Sequence, residues 1–436
     1  MSFVDGLLEE AAARHGVPGA AVAVGHGDQL LEAATGVVNR ETGVETTPES
    51  VFQIGSVSKV WTTALVMQLV DDGLVELDEP VRRYLPGFAV VDPAATEQIT
   101  VRQLLLHTGG FDGDLFEDMG RGDEALERYL GFLGGHAQQI APPGRYFSYC
   151  NAGFAVLGAL VARLRGGTWE SVLRERLIEP LGARHMALLP EEAVLYRAAA
   201  GHLRSGAVVR PWVMTRAMGP AGSTACAAPR DLVRFGRMFL DGELLSAESI
   251  AAMTTPCLTL PGASERGDGR RALGTEIFDW AGTTAFGHDG GTVGQSTLWR
   301  VVPSHELVIA INANGGNAPG LIDDVLDGVI GELIGVTVPG RPTPPATVVR
   351  GVPVEGRFEF PLGAYDVRPV ADGLEITATP LGVAAEMDEP STRRYIPLTG
   401  DTWITTEPDD GFYSTFTFLE DGKFLYGGRI ARRVGG

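Results

Sequence analysis

Residues 4–15 place Val4, Leu7, Leu8, Ala11 and Ala12 at helical spacing, the 3.6-residue period of a helix that buries one stripe. Pro18 and Gly19 break that pattern. The run at 20–24 then predicts a strand that turns near Gly27-Asp28 and returns along 30–38. After a short apolar run at 51–54 the helical period resumes from Ser56 to about 71, with Val57, Trp61, Ala64, Leu65 and Leu69 on one stripe and Gly73 at its end. Ser56 is therefore expected to open a helix. Thr100-Val101-Arg102-Gln103 reads as a capping box before a short helix over 104–106, and Pro142-Pro143-Gly144 as a turn before a helix over about 152–164. Two β-type runs, 295–302 and 307–312, flank a Pro-Ser-His turn and precede a helix over about 322–333. Strands at both ends with helices between them predict one sheet assembled from distant parts of the chain.

Beyond this the pattern changes. Prolines 339, 342, 344 and 345 crowd an aperiodic stretch, which predicts a linker over 338–349 between a domain at 1–337 and another at 350–436. The last segment shows short alternating strands and two hairpin turns, Asp372-Gly373 and Asp421-Gly422, and reads as a small β-barrel or sandwich.

Composition narrows the function classes. Of 436 residues, 44% are apolar and 21% charged, which excludes a disordered or collagen-like chain. A formal charge of −20 repels phosphate backbones and anionic membrane surfaces, so neither nucleic acid nor membrane is an expected partner. The first residues lack the basic and apolar regions of a signal peptide, and the expected location is cytoplasmic. Cys150, Cys226 and Cys257 are widely spaced, and the eight histidines form no H-E-x-x-H pattern, so neither metal nor other cofactor is expected. Lys59 and Lys423 are the only lysines among 35 basic side chains, which draws attention to each.

Three sets of residues could carry chemistry. In Ser56-Val57-Ser58-Lys59 the i, i+3 spacing puts a hydroxyl and an amine one turn apart on a helix. An amine buried near a helix N-terminus and desolvated by Trp61 and its neighbours would lose its proton readily and could accept one from the hydroxyl. A helix cap followed by a solvated lysine would read the same way. Tyr149-Cys150-Asn151 projects a phenol and a carboxamide from an extended i, i+2 pair, although a loop-anchoring tyrosine and a helix-capping asparagine fit equally. His288-Asp289-Gly290-Gly291 ends a β run, where glycines let a ligand approach the backbone and His288 offers a donor or acceptor. The alternative is a tight hairpin with a bystander histidine.

In this order the three sets resemble the active-site motifs of the serine β-lactamase and penicillin-binding-protein superfamily. The likeness is greatest to the branch with class C β-lactamases, D-aminopeptidases and family VIII esterases, where Y-x-N is the second motif and the third can be H-x-G. Leu104-Leu105-Leu106-His107-Thr108-Gly109-Gly110 is similar to that branch's L-L-x-H-T-S-G, with Gly109 in place of serine. Ala221-Gly222-Ser223-Thr224-Ala225 and Arg230-Asp231-Leu232 are further likenesses, and the resemblance covers about residues 3–335. It implies an α+β fold: an antiparallel sheet flanked by helices with a helical subdomain, followed here by a lipocalin-like barrel such as some relatives carry.

The resemblance further implies that Ser56 is the nucleophile, Lys59 the general base and Tyr149 a proton relay. Asn151 would hold the acyl carbonyl or amide, and the N–H groups of Ser56 and Gly291 would form the oxyanion hole. His288 would steady Tyr149 or a substrate carboxylate, while His107 would be structural. Class C β-lactamases keep lysine where His288 stands, which points away from β-lactam hydrolysis. Of the arginines in the final β segment, Arg429 is a candidate clamp for a peptide carboxylate, and Arg432 and Arg433 read as decoration of a solvated edge strand. No G-x-S-x-G elbow exists, and the Gly267-x-Gly269-x-x-Ala272 pattern lacks a preceding strand.

The expected activity is acyl transfer through Ser56 from a peptidyl ester, thioester or amide with a D-configured acyl residue. The acyl group would end in hydrolysis or in peptide macrocyclisation, as in penicillin-binding-protein-type thioesterases. A small peptide or ester is the expected substrate, and a peptide-synthetase carrier domain is a candidate partner. The alternatives are a small-substrate esterase or D-aminopeptidase, and a non-catalytic peptide-binding member of the fold.

Overall fold

The computed structural model describes residues 3–262, 269–347, 351–386, 389–409 and 411–435. Gly267 of the dinucleotide-like pattern and residues 348–349 of the expected linker lie outside the described residues.

The first helix (Phe3–His15) and the hairpin of strands Gly19–His26 and Gln29–Asn39 form as their patterns predict. Strand Leu307–Ala313, nearly 300 positions later, pairs antiparallel with Gly19–His26 and joins the two ends of this domain in one sheet. That sheet has nine strands. After the hairpin come Leu307–Ala313, Gln295–Val302, Thr283–Thr292, Thr275–Trp280, Arg270–Ala272 and Leu258–Thr259, with Val44–Glu45 at the opposite edge. Strand alternation sorts its side chains to two cores. Val22, Val24, Ile309 and Ile311 face the first helix and the helix Ala318–Ile334. Ala23, Val308, Ala310 and Trp299 face the helical subdomain, where Trp61, Leu65, Leu232 and Phe235 meet them.

Local differences have local causes. Ser56 does not begin an α-helix but lies in a 3-10 turn, Gly55–Val57, that runs into the helix Ser58–Asp71. The Thr100 capping box is present, and because Thr100 is the cap its helix starts at once, as Val101–Leu105. His288 to Gly291 lie within the strand Thr283–Thr292, paired with Ser296–Trp299, so the chain turns only beyond Thr292. Among the described residues no helix is long and apolar enough to cross a membrane.

Residues 335–347 form neither helix nor strand. Arg341 nevertheless fixes their path, pairing with Asp323 at 2.8 Å and lying 4.3 Å from the centroid of the Phe412 ring. Eight antiparallel strands from Gly356–Phe360 to Ile430–Val434 then close into a barrel. Both expected Asp-Gly turns are present, joining Gly363–Val370 to Gly373–Pro380 and Thr415–Leu419 to Phe424–Tyr426. Since Ile430–Val434 is paired on both sides, Arg432 and Arg433 do not decorate an edge strand. Arg432 instead donates to the carbonyl of Gln139 in the other domain, at 3.1 Å.

An eight-stranded barrel is just wide enough to be filled by its own side chains. Here Phe358, Leu374, Ile376, Trp403, Phe418 and Leu425 do so. Leu374→Ala should therefore leave a true core cavity and cost roughly 2–5 kcal/mol of barrel stability in a denaturant melt; a cost below about 1 kcal/mol would mean that the interior is not packed as described.

Candidate active site

The serine turn rests on three glycines. Gly55 has φ +51°, and a Cβ there would stand 2.5 Å from the amide nitrogen of Gly291. A Cβ on Gly290 would lie 1.9 Å from the carbonyl oxygen of Ile54, and one on Gly222 (φ +119°) would lie 2.1 Å from that of Gly55. Real Cβ atoms do not come so close, so only glycine allows these three segments to touch. Their contact brings the main chain of Gly291 against that of the Ser56 turn, where two amides from different segments can serve one oxyanion.

One helical turn on, Lys59 is fully buried, with Nζ 3.0 Å from Ser56 Oγ and donating to the carbonyl of Ala221 at 2.6 Å. The rings beside the amine are those of Tyr149, 4.8 Å to its centroid, and Phe154, 5.7 Å. Trp61, expected to shield it, stacks on Phe235 instead, because i+2 on a helix points to another face. Burial lowers the lysine from 10.5 to about 7; Asp114 and Cys150 oppose that shift and Arg429 adds to it. Above about pH 7 most of the amine is unprotonated and offers a lone pair to the neighbouring hydroxyl.

Tyr149 precedes the helix Asn151–Arg165, and its phenol lies beside Ser56 and the Lys59 amine. Burial pushes this phenol well above its ordinary range, so it stays protonated near neutral pH. His107 stacks on it, centroids 4.4 Å apart, and Nδ1 of His107 accepts the backbone N–H of Cys150 at 2.9 Å. Asn151 is not a helix cap. Cys150 caps the helix, its Sγ accepting the N–H of Gly153, while Asn151 Nδ2 donates to Asp114 Oδ1 at 2.7 Å.

His288 lies across from Tyr149, ring centroids 6.3 Å apart. Its Nδ1 is 2.5 Å from the carbonyl oxygen of Asp289, an acceptor, so Nδ1 carries the proton and Nε2 is left as an acceptor. Burial, reinforced by the charge of Lys59, drives the ring to about 3, so it is neutral. A neutral ring with a free acceptor can accept a hydrogen bond from a phenol or an amine, and is poorly suited to hold a carboxylate.

Arg429 enters from the barrel, in the turn between strands Phe424–Tyr426 and Ile430–Val434. The Gly428 carbonyl beside it accepts the N–H of Tyr149 at 3.0 Å, and Ser148 Oγ accepts the N–H of Ile430 at 3.1 Å. The guanidinium pairs with Asp114 and lies 5.1 Å from the centroid of the Tyr149 ring. A cleft of about 720 Å³ opens here between the domains, lined by Tyr149, His288, Gly291, Arg429 and the barrel segment 412–417. This is within the roughly 300–1,000 Å³ of pockets that enclose drug-sized ligands.

The structure thus brings Tyr149, His288, Gly291 and Arg429 to one cleft, with Ser56 and Lys59 packed behind Tyr149 and Asn151 joined to Arg429 through Asp114. Sequence reasoning missed Asp114, Gly55, the packing role of Gly222 and the acceptor carbonyl of Ala221. The available signal for Asp114 was Asp112-Gly113-Asp114, one residue beyond the Leu104–Gly110 motif. Gly113 is needed there, since its Cβ would stand 2.4 Å from Cys150 Cα.

A dry lysine beside a serine, with a buried phenol, an acceptor imidazole and two main-chain segments in close contact, is an arrangement suited to serine acyl transfer. The Beta-lactamase family model matches residues 4–329, and the chain belongs to that family. Penicillin-binding protein 4 of Amycolatopsis lactamdurans is 41% identical over 367 residues, 80% of this chain and 95% of that protein. The D-aminopeptidase of Brucella anthropi is 29% identical over 319 residues, 69% of this chain and 57% of that protein. The crystal structure of SurE aligns with a TM-score of 0.80 at 28% identity, covering 99% of this chain and 98% of that one, and SurE has also been solved with D-Leu. The protein is an enzyme, a β-lactamase-related serine hydrolase.

Two outcomes are expected. Labelling of the protein by a fluorophosphonate should rise about tenfold per pH unit below about 7 and level off above it, as the Lys59 ammonium gives up its proton; a limb above pH 9 would mean that the amine is not desolvated. Gly290→Ala should slow labelling by about 100-fold or more while circular dichroism shows the fold retained, and an unchanged rate would contradict the close approach to Ile54.

Proposed function

We propose that the enzyme acylates Ser56 with a peptidyl ester, thioester or amide bearing a D-configured acyl residue, and passes the acyl group to water or to an amine of the same peptide. The observation that carries this reading is the buried Lys59 amine 3.0 Å from Ser56 Oγ. Ser56 Oγ attacks the carbonyl carbon as its proton passes to Lys59 Nζ. The oxyanion is met by the N–H groups of Ser56 and Gly291, and Asn151 steadies the acyl amide. The leaving group departs with the proton relayed through Lys59 and Tyr149, leaving an ester on Ser56. An entering water or amine adds to the ester carbonyl as its proton passes through the Tyr149 hydroxyl to the neutral Lys59 amine, and the collapse breaks the bond from the acyl carbon to Ser56 Oγ as Lys59 hands that proton to Oγ.

The interdomain cleft supports a peptide-sized donor, since the barrel roofs the site and adds Arg429 to its wall. Two of Arg429's nitrogens face Asp114, and the guanidinium retains donors for a substrate carboxylate. The relative named a D-aminopeptidase and the solved complex of SurE with D-Leu favour a D-residue at the acyl position. A thioester donor implies a peptide-synthetase carrier domain as its source, and the cytoplasm as the setting. The D-aminopeptidase relative also favours a second reading, hydrolysis of small D-amino-acid amides or esters.

Incubation with a linear peptidyl thioester ending in a D-residue separates the outcomes by product mass. A product lighter than the linear acid by one water supports cyclisation, the acid alone supports hydrolysis, and turnover confined to nitrophenyl esters and D-amino-acid amides supports the second reading. Fluorophosphonate labelling should vanish in Ser56→Ala, and labelling that persists would remove Ser56 as the nucleophile.

A further inference from the structure

Asp114 lies in the loop between the helices Val101–Leu105 and Ala125–His136, with its carboxylate 2% exposed. Oδ1 accepts Asn151 Nδ2 at 2.7 Å and Arg429 Nη2 at 3.3 Å, while Oδ2 takes Arg429 Nε. One buried carboxylate is thus shared between a side chain of the acyl site and a side chain of the barrel.

Its chemistry restricts both partners. A carboxylate only accepts, so it fixes which end of the Asn151 amide faces it and leaves the carbonyl end for other contacts. It also neutralises a guanidinium that is in contact with the same phenol ring as the Lys59 amine. Two cations around one ring, with no anion between them, would each destabilise the other in a dry site.

We infer that Asp114 is a positioning residue for the acylation step: it orients Asn151 and admits Arg429 of the barrel as a neutral pair, so that the site is complete only with the barrel docked. This rests on the acyl-enzyme reading above and extends it to a residue that touches none of the reacting atoms.

The groups facing Lys59 set the direction of the test. Ser56 shares its helical turn, and Tyr149, Cys150 and His107 border it from the second motif and the preceding loop. His288 faces it from the sheet, Asp114 from its loop and Arg429 from the barrel. Of these, Asp114 stabilises the ammonium and Arg429 destabilises it. In Asp114→Asn the acid limb of fluorophosphonate labelling should move to lower pH by roughly half to one unit. Its plateau rate should also fall about tenfold, as Asn151 loses an acceptor-only partner. In Arg429→Gln the limb should move to higher pH by a similar amount, and Arg429→Lys, which keeps the charge, should return it to the wild-type position. A merely structural tie between domains would lower stability in these variants without moving the limb in opposite directions. The fluorophosphonate carries no carboxylate, so a binding role of Arg429 does not enter. Limbs that stay fixed, or move the same way in both variants, overturn the inference while wild-type labelling keeps the acyl-enzyme reading intact. Absence of wild-type labelling overturns that reading itself. If Asp114→Asn does not fold, as judged by its thermal melt, the pair of Arg429 variants decides alone: an upward shift in glutamine absent in lysine supports the inference, and equal limbs refute it.

Discussion

An ammonium group taken out of water loses most of what stabilises its charge, and Lys59 is taken out of water completely. The neutral amine escapes that cost, and it sits where a lone pair is useful, against the hydroxyl of Ser56 and tethered by the carbonyl of Ala221. Much of the molecule serves to keep this position dry and in register. The sheet and the helical subdomain enclose the helix Ser58–Asp71, Phe154 and Tyr149 cover the amine, and glycines at 55, 222 and 290 allow the surrounding main chain to close in.

The same dryness sets the protonation of the other groups. Tyr149 keeps its proton and His288 gives its up, so two neutral side chains of complementary character, one donor and one acceptor, face each other beside an amine that titrates near 7. Protons can then be passed among groups none of which has to hold a charge at rest, which suits a cycle of two acyl transfers. The charged pair nearby, Asp114 with Arg429, is neutral as a unit.

That pair also gives the barrel its meaning. Its interior is packed with its own side chains, and what it offers the other domain lies on its outside. The turn at 427–429 binds the main chain of Tyr149, places a guanidinium over the phenol and forms one wall of the cleft. Catalytic groups and barrel meet at residues 147–151, where Phe147 packs with Tyr426 and Ile430, and again where Asp114 pairs with Arg429.

Whatever is settled within a turn or a hairpin could be read from the residues alone. The Ser-x-x-Lys spacing, the Thr100 capping box, the two Asp-Gly turns and the alternation that builds strands and barrel each depend on neighbours a few positions apart, and the order of the three motifs identified the kind of chemistry. Tertiary structure decided the rest. Asp114 and Arg429 are separated by 315 positions, and no local pattern tells which loop carboxylate will meet which barrel arginine. That Gly55 is pressed against Gly291, and that Gly428 of the barrel accepts the N–H of Tyr149, follow from packing between segments distant in the chain. Propensity and periodicity act over a few residues, whereas the solvation and charge that tune a reactive group are set by everything that folding brings within a few ångströms of it.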